Sequence, residues 1–378
     1  MKPSKRKNHP VIKLINSSLI DLPCPSNINS MWSFGSTLGI CLMIQLTTGI
    51  FLSMHYCPET SMSFSTLSHI MRDVNLGWLM RIMHANGSSM FFFMMYIHMS
   101  RGIYFNSFFM KEVWISGIMI LFLSMGTAFM GYVLPWGQMS FWAAAVITNL
   151  LSAIPMMGVE ITQWLWGGFS VNNATLNRFF TLHFILPMLM MAMVMLHLMF
   201  LHKMGSSNPI GVNSDMDKVS FHPYFSTKDM VGFTLMISIL LVTSMANPMW
   251  LNDPENFIPA NPMSTPIHIQ PEWYFLFAYA ILRSIPNKLG GVLALMSSIL
   301  ILTSLPLTMK NKIQSSKFYP VNKMLLWMFV TSIMILSWIG AKPVETPFEM
   351  IGIFFTLFHF SFFMMLPILT KTWDKLNY

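Results

Sequence analysis

The stretch HANGSSMFFFMMYIH, residues 84–98, begins and ends on histidine, and HFILPMLMMAMVMLH, residues 183–197, repeats this spacing. Both stretches lie within long apolar segments. Fourteen residues are just under four helical turns, so each histidine pair lies on one helix face, about 21 Å apart along the axis. We therefore predict two helices that each carry two histidines at two depths.

The composition is that of an integral membrane protein. Of the 378 residues, 54% are hydrophobic and 10% are charged, whereas soluble domains carry about 25% charged residues. The mean hydropathy is +0.56. The net charge is +8, but the basic residues form no stripe, so we expect no nucleic-acid partner. Three cysteines, Cys24, Cys41 and Cys57, lack a metal-binding spacing.

Eight apolar segments are long enough to cross a membrane, which takes about 20 residues. These predicted spans, A to H, are 33–54, 77–104, 113–134, 178–201, 229–247, 288–308, 321–341 and 348–368. An even number places both termini on one side. Most of the 22 basic residues fall on that side, including Lys2, Lys5, Arg6, Lys7 and Lys13. The positive-inside rule therefore predicts both termini on the negative (matrix or cytoplasmic) side.

Spans B and D run in the same direction in this topology. His84 is then level with His183, and His98 with His197. Each level pair suits one flat six-coordinate group such as haem, whose iron accepts imidazole ligands from both sides. Two haems at different depths would provide an electron path across the membrane. A lone intramembrane histidine, such as His359, is explained more simply by a hydrogen bond between helices.

Glycines repeat the histidine interval. Gly35 and Gly49 lie fourteen residues apart in span A, and so do Gly117 and Gly131 in span C. Glycine removes the side chain that would collide with a porphyrin, although small residues are also common wherever membrane helices pack. We expect an all-α fold in which spans A to D form a four-helix bundle with two haem sites.

Cations lie beside the predicted haem ligands. Arg81 precedes His84 by three residues, and Arg101 follows His98 by three. Both arginines would suit the carboxylates of haem propionates. Each also fits an ordinary arginine that extends towards the membrane surface.

Four further motifs support the same interpretation. They are GYVLPWGQMSFWAAAVITNLLSAIP (131–155), Pro271-Glu272-Trp273-Tyr274, FHPYFSTKD (221–229) and MHANGSSMFF (83–92). Together with the histidine spacing they resemble mitochondrial cytochrome b, the haem-bearing core of ubiquinol:cytochrome c reductases, over essentially the whole chain. Eight spans in one chain resemble the mitochondrial and bacterial form, because the chloroplast relative is split into two chains.

The resemblance implies two non-covalent b-type haems. The low-potential haem would be held by His84 and His183 near the positive side, and the high-potential haem by His98 and His197. The implied reaction is the Q cycle. Ubiquinol is oxidised at an outer site, one electron goes to a partner iron–sulfur protein, and the other crosses the two haems to reduce ubiquinone at an inner site. Proton release outside and uptake inside build the gradient.

The resemblance also implies a setting for the chain. It would be the catalytic subunit of a ubiquinol:cytochrome c oxidoreductase, active only within a homodimeric multisubunit complex. Its partners would be the iron–sulfur protein, cytochrome c1, ubiquinone and membrane lipids. The location would be the mitochondrial inner membrane, with both termini in the matrix.

The outer quinol site is expected beneath a cap formed by residues 247–288. Six prolines between Pro248 and Pro271 exclude a regular helix there. By resemblance, Glu272 accepts and passes on a quinol proton. The implied pocket also includes Phe129, Tyr132, Pro271 and Tyr279. Without the motif match, a glutamate in a proline-rich loop would be an ordinary solvated or capping residue.

The segment 135–177 between spans C and D contains short amphipathic stretches suited to the membrane interface. They would form the floor of the quinol site and dock the iron–sulfur protein. Ala143 follows Trp142 at a position where the family normally has glycine. The extra methyl should hinder rigid methoxyacrylate-type inhibitors more than flexible quinol.

The inner quinone site is expected at helix ends on the negative side. The positions that match the family are His202, Ser206, Lys228 and Asp229, with Ser36 at the same level on span A. A histidine and an aspartate can bind the two quinone carbonyls and supply protons, while Lys228 keeps Asp229 ionised or relays protons. Without the resemblance, an interfacial ion pair of Lys228 and Asp229 at the start of span E would be the preferred interpretation.

We expect two regions, residues 1–208 with the four-helix bundle and residues 209–378 with the remaining spans and the cap. Two other protein classes fit part of the pattern. A dihaem reductase of the ascorbate-linked kind also uses paired histidines, but it needs neither eight spans nor the Glu272 cap. An ion-coupled transporter would fit the spans, yet it normally carries acids and lysines within its helices.

Overall fold

The computed structural model describes residues 5–377, so the predicted basic residue Lys2 lies outside the described range. The chain starts with two short helices, α1 (Lys5–Asn8) and α2 (Pro10–Ile15), and a π-helical turn (Asn16–Ile20). Strand β1 (Pro23–Pro25) then pairs antiparallel with β2 (Lys218–Ser220). This pairing joins the two predicted regions of the chain.

Four long helices form the predicted bundle. They are α3 (Phe34–Ser53), α5 (Gly77–Tyr104), α6 (Lys111–Val133) and α9 (Asn173–Met204). Helix α3 packs along α5, and α6 packs along α9. The short helix α4 (Ser63–Arg72) links α3 to α5. These helices correspond to spans A to D.

Helix α9 begins earlier than the predicted span because a polar turn precedes its apolar part. The Asn172 side chain accepts hydrogen bonds from the backbone N–H groups of Ala174 and Thr175, and the Thr175 hydroxyl accepts one from the Asn172 N–H. This reciprocal capping box satisfies N–H groups that would otherwise lack partners at the helix start. The helix therefore includes residues that hydropathy alone assigns to the loop.

Two short helices, α7 (Gln138–Asn149) and α8 (Gly158–Trp166), lie between α6 and α9. Helix α10 (Phe221–Ala246) packs on α5 and α3. The cap after it has little regular structure until α11 (Leu276–Arg283), apart from single 3-10 turns at Pro254–Phe257 and Trp273–Phe275.

The sixth predicted span is interrupted. Helix α12 (Lys288–Leu300) passes through a 3-10 turn (Ile301–Ser304) into α13 (Leu305–Thr308). Pro306 lacks the N–H that would bond the carbonyl of Leu302. The indole Nε1 of Trp114 on α6 donates to that carbonyl at 2.9 Å. A side chain of the bundle thus compensates for the proline.

Helices α14 (Pro320–Gly340) and α15 (Phe348–Asn377) pack against each other and against α11. His359 on α15 is buried, and its Nε2 lies 3.2 Å from the carbonyl oxygen of Ser298 on α12. This interhelical hydrogen bond is the role predicted for an isolated histidine.

Seven helical segments within residues 5–377 are long and apolar enough to cross a membrane, so the chain is an integral membrane protein. Helix α5 is 28 residues long but is not among the seven. Polar groups, including His84, Asn86, Ser89 and His98, reduce its hydropathy. Its passage through the membrane, and with it the count of eight spans, stays a prediction.

The main buried cluster contains side chains from both predicted regions, such as Leu38 and Phe91 from the first and Leu325 and Phe362 from the second. The largest buried cluster therefore extends across the predicted boundary at residue 208, and the division into two regions stays a prediction. Outward-facing side chains of α9, such as Met195 and Met199, are exposed and apolar, as the surface of a membrane helix requires.

Candidate functional site

The four histidines form the two pairs that the spacing predicts. The ring centres of His84 and His183 lie 6.1 Å apart, and those of His98 and His197 lie 6.4 Å apart. Two metal–imidazole bonds of about 2 Å, each with about 1 Å from the ligating nitrogen to the ring centre, give about 6 Å. Each pair therefore has room for one metal ion between its rings.

The Nδ1 atoms of all four rings have polar neighbours. The distances are 2.9 Å from His84 to the Thr48 hydroxyl, 2.8 Å from His183 to the Thr127 carbonyl, 2.9 Å from His197 to the Ser116 hydroxyl, and 3.5 Å from His98 to Arg101 Nη2. Within residues 5–377 no hydrogen bond of these rings uses Nε2. Neither Thr48 nor Ser116 is among the predicted site residues, although each directly precedes one of the repeated glycines.

Each repeated glycine faces one histidine ring. The pairs are Gly35 with His98, Gly49 with His84, Gly117 with His197 and Gly131 with His183. A Cβ atom on Gly35, Gly49 or Gly117 would lie between 3.1 and 3.3 Å from a ring Cε1, and one on Gly131 would overlap the His183 ring. We expected these glycines to make room for a porphyrin. The atoms nearest to each missing Cβ are instead those of a histidine ring, so the glycines make room for the histidines themselves.

Buried donors without partners lie beside the His98–His197 pair. Among the described residues, Arg101 Nε and Trp32 Nε1 are buried and make no hydrogen bond. The Arg101 guanidinium lies 5.3 Å from the centre of the Trp32 ring. Two such donors next to a histidine pair match the carboxylates of a haem. This donor set and the ring separations fit haem as the bound group.

A cavity of about 230 Å³ extends from the His84–His183 pair. Gly49, Gly131 and Gln45 line it beside the two rings, and the buried Gln45 Nε2 donates no hydrogen bond to any described residue. The same cavity reaches Arg81, Tyr132 and Glu272. The structure thus joins the outer histidine pair to the predicted outer quinol site.

A second, smaller cavity of about 20 Å³ lies on the other side of Glu272. All six predicted outer-site residues line it: Phe129, Tyr132, Ala143, Pro271, Glu272 and Tyr279. The Tyr279 hydroxyl donates to the carbonyl of Ile269 at 3.2 Å, and the Arg283 guanidinium lies 4.8 Å from the centre of its ring. Residues from three separate segments therefore form one pocket.

Helix α5 holds the residues that follow Glu272. Trp273 Nε1 donates to the Ser89 hydroxyl at 3.1 Å, and the Tyr96 hydroxyl donates to the carbonyl of Tyr274 at 2.5 Å. Ser89, one of the polar side chains that reduce the hydropathy of α5, thus also anchors the cap. Neither Ser89 nor Tyr96 is among the predicted site residues.

The cap is also joined to the start of α7. Asn256 Oδ1 accepts from both the N–H and the hydroxyl of Ser140, at 3.0 and 2.9 Å. The N–H of Gln138 donates to the carbonyl of Ile258 at 2.9 Å. Because α5 and α7 hold the cap at its two ends, the position of Glu272 is fixed by both.

The environment of Glu272 favours the neutral carboxyl group. Burial, and to a smaller extent the nearby Asp253 carboxylate, raise its pKa to about 7 against the opposing effect of the Arg81 guanidinium. A carboxyl group with a pKa near physiological pH can both accept and release a proton. Glu272 is therefore suited to proton transfer at the wall of this pocket.

The predicted inner-site residues are less closely connected. Asp229 is buried, His202 is exposed at the end of α9, and Ser206 is half-buried in the following loop. The ammonium group of Lys228 donates to the carbonyl of Ile28 at 3.0 Å, and the Ser36 hydroxyl donates to the carbonyl of Ser33, directly before α3. Among residues 5–377, no hydrogen bond or ion pair joins any two of these five side chains, so the Lys228–Asp229 ion pair does not form.

Comparison with known proteins gives two family matches. A family model described as Cytochrome b/b6/petB matches residues 19–205, and one described as Cytochrome b(C-terminal)/b6/petD matches residues 259–360. A solved structure described as a hyperthermophilic respiratory Complex III is 31% identical in sequence. It superposes with a TM-score of 0.91, over 97% of this chain and 98% of that chain.

Proposed function

The chain belongs to the cytochrome b family, and from this we propose that it is the electron-transferring subunit of a respiratory ubiquinol:cytochrome c oxidoreductase. His84 and His183 would hold one haem, and His98 and His197 a second. When bound, the haems would supply one-electron carriers at two depths in the membrane. Family membership, the paired rings and the unpartnered donors at Arg101 and Trp32 support this proposal.

The outer site would oxidise ubiquinol. Phe129, Tyr279 and Pro271 would form the apolar walls around the ring, with the small cavity between them widening from about 20 Å³ to admit it, and Glu272 would accept a hydroxyl proton. Arg81 and Tyr132 lie on the cavity that leads from Glu272 towards His84 and His183. A quinol in this pocket would then give a proton to Glu272 and an electron towards the His84–His183 pair without changing its position. A partner iron–sulfur protein, docked on the 135–177 segment, would take the other electron.

The inner site would reduce ubiquinone on the opposite side. His202 and Asp229 would bind its carbonyl oxygens and deliver protons, with Ser36, Ser206 and Lys228 around them. Charge distribution and family likeness support this assignment. Bound quinone would have to draw these side chains together, because they make no mutual contacts in the described structure.

The proposal extends to the setting of the chain. We place it in the mitochondrial inner membrane, with both termini in the matrix, in a homodimeric complex with iron–sulfur and cytochrome c1 subunits. The basic loops on the side of the termini support this orientation. We propose residues 1–208 as the haem-binding region and 209–378 as the region that completes the outer site through the cap.

The observation that carries the proposal is the cavity shared by Glu272 and the outer histidine pair. It predicts that Glu272→Gln lowers quinol oxidation in the complex by at least about tenfold, because the amide cannot accept the proton. Below pH 7 the carboxyl group of the wild type is protonated, so its rate should rise as pH increases through about 7. The variant should lose this rise, as steady-state rates between pH 5.5 and 9 would reveal.

Glu255→Gln provides a matched control in the same cap, since Glu255 lines neither cavity described above. It should keep both the rate and its pH dependence. A Glu272→Gln complex with a wild-type rate and an unchanged pH profile would rule out the proton-accepting role.

A further inference from the structure

Two histidine rings are held by hydroxyl groups that directly precede the repeated glycines. The Thr48 hydroxyl on α3 lies 2.9 Å from His84 Nδ1, and the Ser116 hydroxyl on α6 lies 2.9 Å from His197 Nδ1. Thr48 precedes Gly49, whose missing Cβ leaves room for the His84 ring. In each case one helix turn therefore provides both the space for a ring and a polar contact to it.

The direction of these hydrogen bonds follows from the other contacts of the hydroxyls. Thr48 Oγ1 lies 2.7 Å from the carbonyl oxygen of Ile44, and Ser116 Oγ lies 2.8 Å from that of Glu112. A hydroxyl has one proton, so a hydroxyl that donates to this carbonyl can only accept from the imidazole. We assign this arrangement to both sites, because it places the ring proton on Nδ1 and leaves the Nε2 lone pair free, as a metal ligand requires.

The other two rings are held differently. His183 Nδ1 lies 2.8 Å from the backbone carbonyl of Thr127, which no side-chain substitution removes. His98 Nδ1 lies 3.5 Å from Arg101 Nη2, and a guanidinium is a donor only. Each histidine pair therefore has one hydroxyl-held ring, in the outer pair on α3 and in the inner pair on α6.

We propose that Thr48 and Ser116 are positioning residues that separately set the redox properties of the two sites. This inference rests on the proposed function, in which the four rings ligate two haems. An acceptor on Nδ1–H makes the imidazole a stronger electron donor, which favours the oxidised metal. Loss of the Thr48 acceptor should raise the potential of the His84–His183 site alone, and loss of the Ser116 acceptor that of the His98–His197 site alone.

The test uses the whole complex carrying Thr48→Val or Ser116→Ala. Redox potentiometry with optical detection gives the reduced fraction of each b-type haem, and low-temperature EPR reports the ligand environment of each oxidised iron. Partners of metal ligands change metal affinity about tenfold or more. We expect a rise of about three- to tenfold in the reduced-to-oxidised ratio of the targeted site, where tenfold is about 59 mV for one electron.

Matched variants separate this effect from a change in helix packing. Thr37 on α3 is buried and bonds the carbonyl of Ser33 in the same way as Thr48 bonds Ile44, but it has no hydrogen bond to a histidine among the described residues. Ser332 on α14 is buried, and within residues 5–377 its hydroxyl bonds the carbonyl of Phe329 and no histidine. Thr37→Val and Ser332→Ala should leave both potentials unchanged. Thr48→Ser and Ser116→Thr keep the hydroxyl and should restore the wild-type potentials and EPR signals.

The outcomes differ for the inference and for the proposed function. A shift confined to the targeted site, with rescue by the conservative variant, supports the inference. If both haems are present in the spectrum but the potentials are unchanged in both variants, or shift equally at both sites, the inference is overturned. A wild-type complex without two b-type haems overturns the proposed function itself. If Thr48→Val prevents assembly, Thr48→Ala removes the same acceptor without placing a methyl against the ring.

Discussion

At the residue scale, the pocket wall at Ala143 has a direct consequence for inhibitor binding. Ala143 is buried and lines the small cavity with Glu272 and Tyr279. Its methyl narrows the space available to a rigid ligand more than that available to a flexible one. Ala143→Gly should therefore increase sensitivity to methoxyacrylate-type inhibitors while leaving the KM for quinol nearly unchanged, as inhibitor titrations of quinol oxidation would show.

Ala144→Gly is the control for this prediction, because it removes the same methyl from the same helix. Ala144 is fully buried but lines neither of the two cavities. Both variants cost up to about 1 kcal/mol of helix stability, so a shared effect would reflect folding. Equal inhibitor sensitivity of the wild type and Ala143→Gly would contradict the role assigned to the methyl.

The residues that the sequence predicted and those that it missed differ in a physical way. His84 and His98 are identified by periodicity alone, because a buried ionisable side chain is rare in an apolar span. The partners Thr48 and Ser116 are ordinary helix residues whose hydroxyls usually bond their own backbone. Their role depends on which neighbouring helix faces them, and one sequence does not contain that information.

At the element scale, the glycines of α3 and α6 predict a graded series of losses. A Cβ on Gly131 would overlap the His183 ring, whereas one on Gly117 would lie 3.3 Å from the His197 ring. Gly131→Ala should therefore abolish the outer haem, and Gly117→Ala should only perturb the inner one. Haem content and the optical spectrum of the purified complex measure both effects.

Each helix contains its own control glycine. A Cβ on Gly39 of α3 meets no atom within 4 Å, and one on Gly126 of α6 meets only Met130 Cε at 4.0 Å. Gly39→Ala and Gly126→Ala should retain both haems and slightly stabilise their helices. Loss of a haem in either control would show that alanine disturbs these helices wherever it is placed. The claim that each repeated glycine leaves room for one histidine ring would then be unsupported.

The hydrogen bonds by which α5 anchors the cap lead to a second prediction, on the KM for quinol. Ser89→Ala and Tyr96→Phe remove the hydroxyls that bind Trp273 and the carbonyl of Tyr274. Each lost bond should cost about 1–3 kcal/mol and let the segment around Glu272 move. We expect a raised KM for quinol with both haem spectra intact. Tyr104→Phe, at the end of the same helix, is the control and should leave the KM for quinol unchanged. An unchanged KM in Ser89→Ala and Tyr96→Phe would exclude the anchoring role.

Helix limits show where hydropathy stops being informative. Span B and α5 agree at both ends, but α10 begins at Phe221 rather than 229, and α15 continues to Asn377 rather than 368. The additional turns contain polar residues such as Ser226 and Lys371. Capping and packing against other elements extend these helices beyond the apolar run. Hydropathy therefore locates the apolar part of each helix but not the residues at which the helix begins and ends.

At the scale of the whole molecule, the fold and the family are those that the sequence predicted. Matches over both halves of the chain exclude the two other classes considered, the ascorbate-linked reductase and the transporter. The inner site was the least predictable part. Its residues lie at helix ends and in loops, where the chain alone does not fix side-chain positions and where partner subunits and quinone would contribute.

The central claim is that two histidine pairs hold two haems at two depths. Redox titration of the purified complex, with outer-site and inner-site inhibitors added in turn, tests it most directly. We predict two b-type components with different potentials. The inner-site inhibitor should perturb only the His98–His197 component, and His183→Leu should remove only the other. A single b-type component, or loss of both from His183→Leu with the complex intact, would contradict the account.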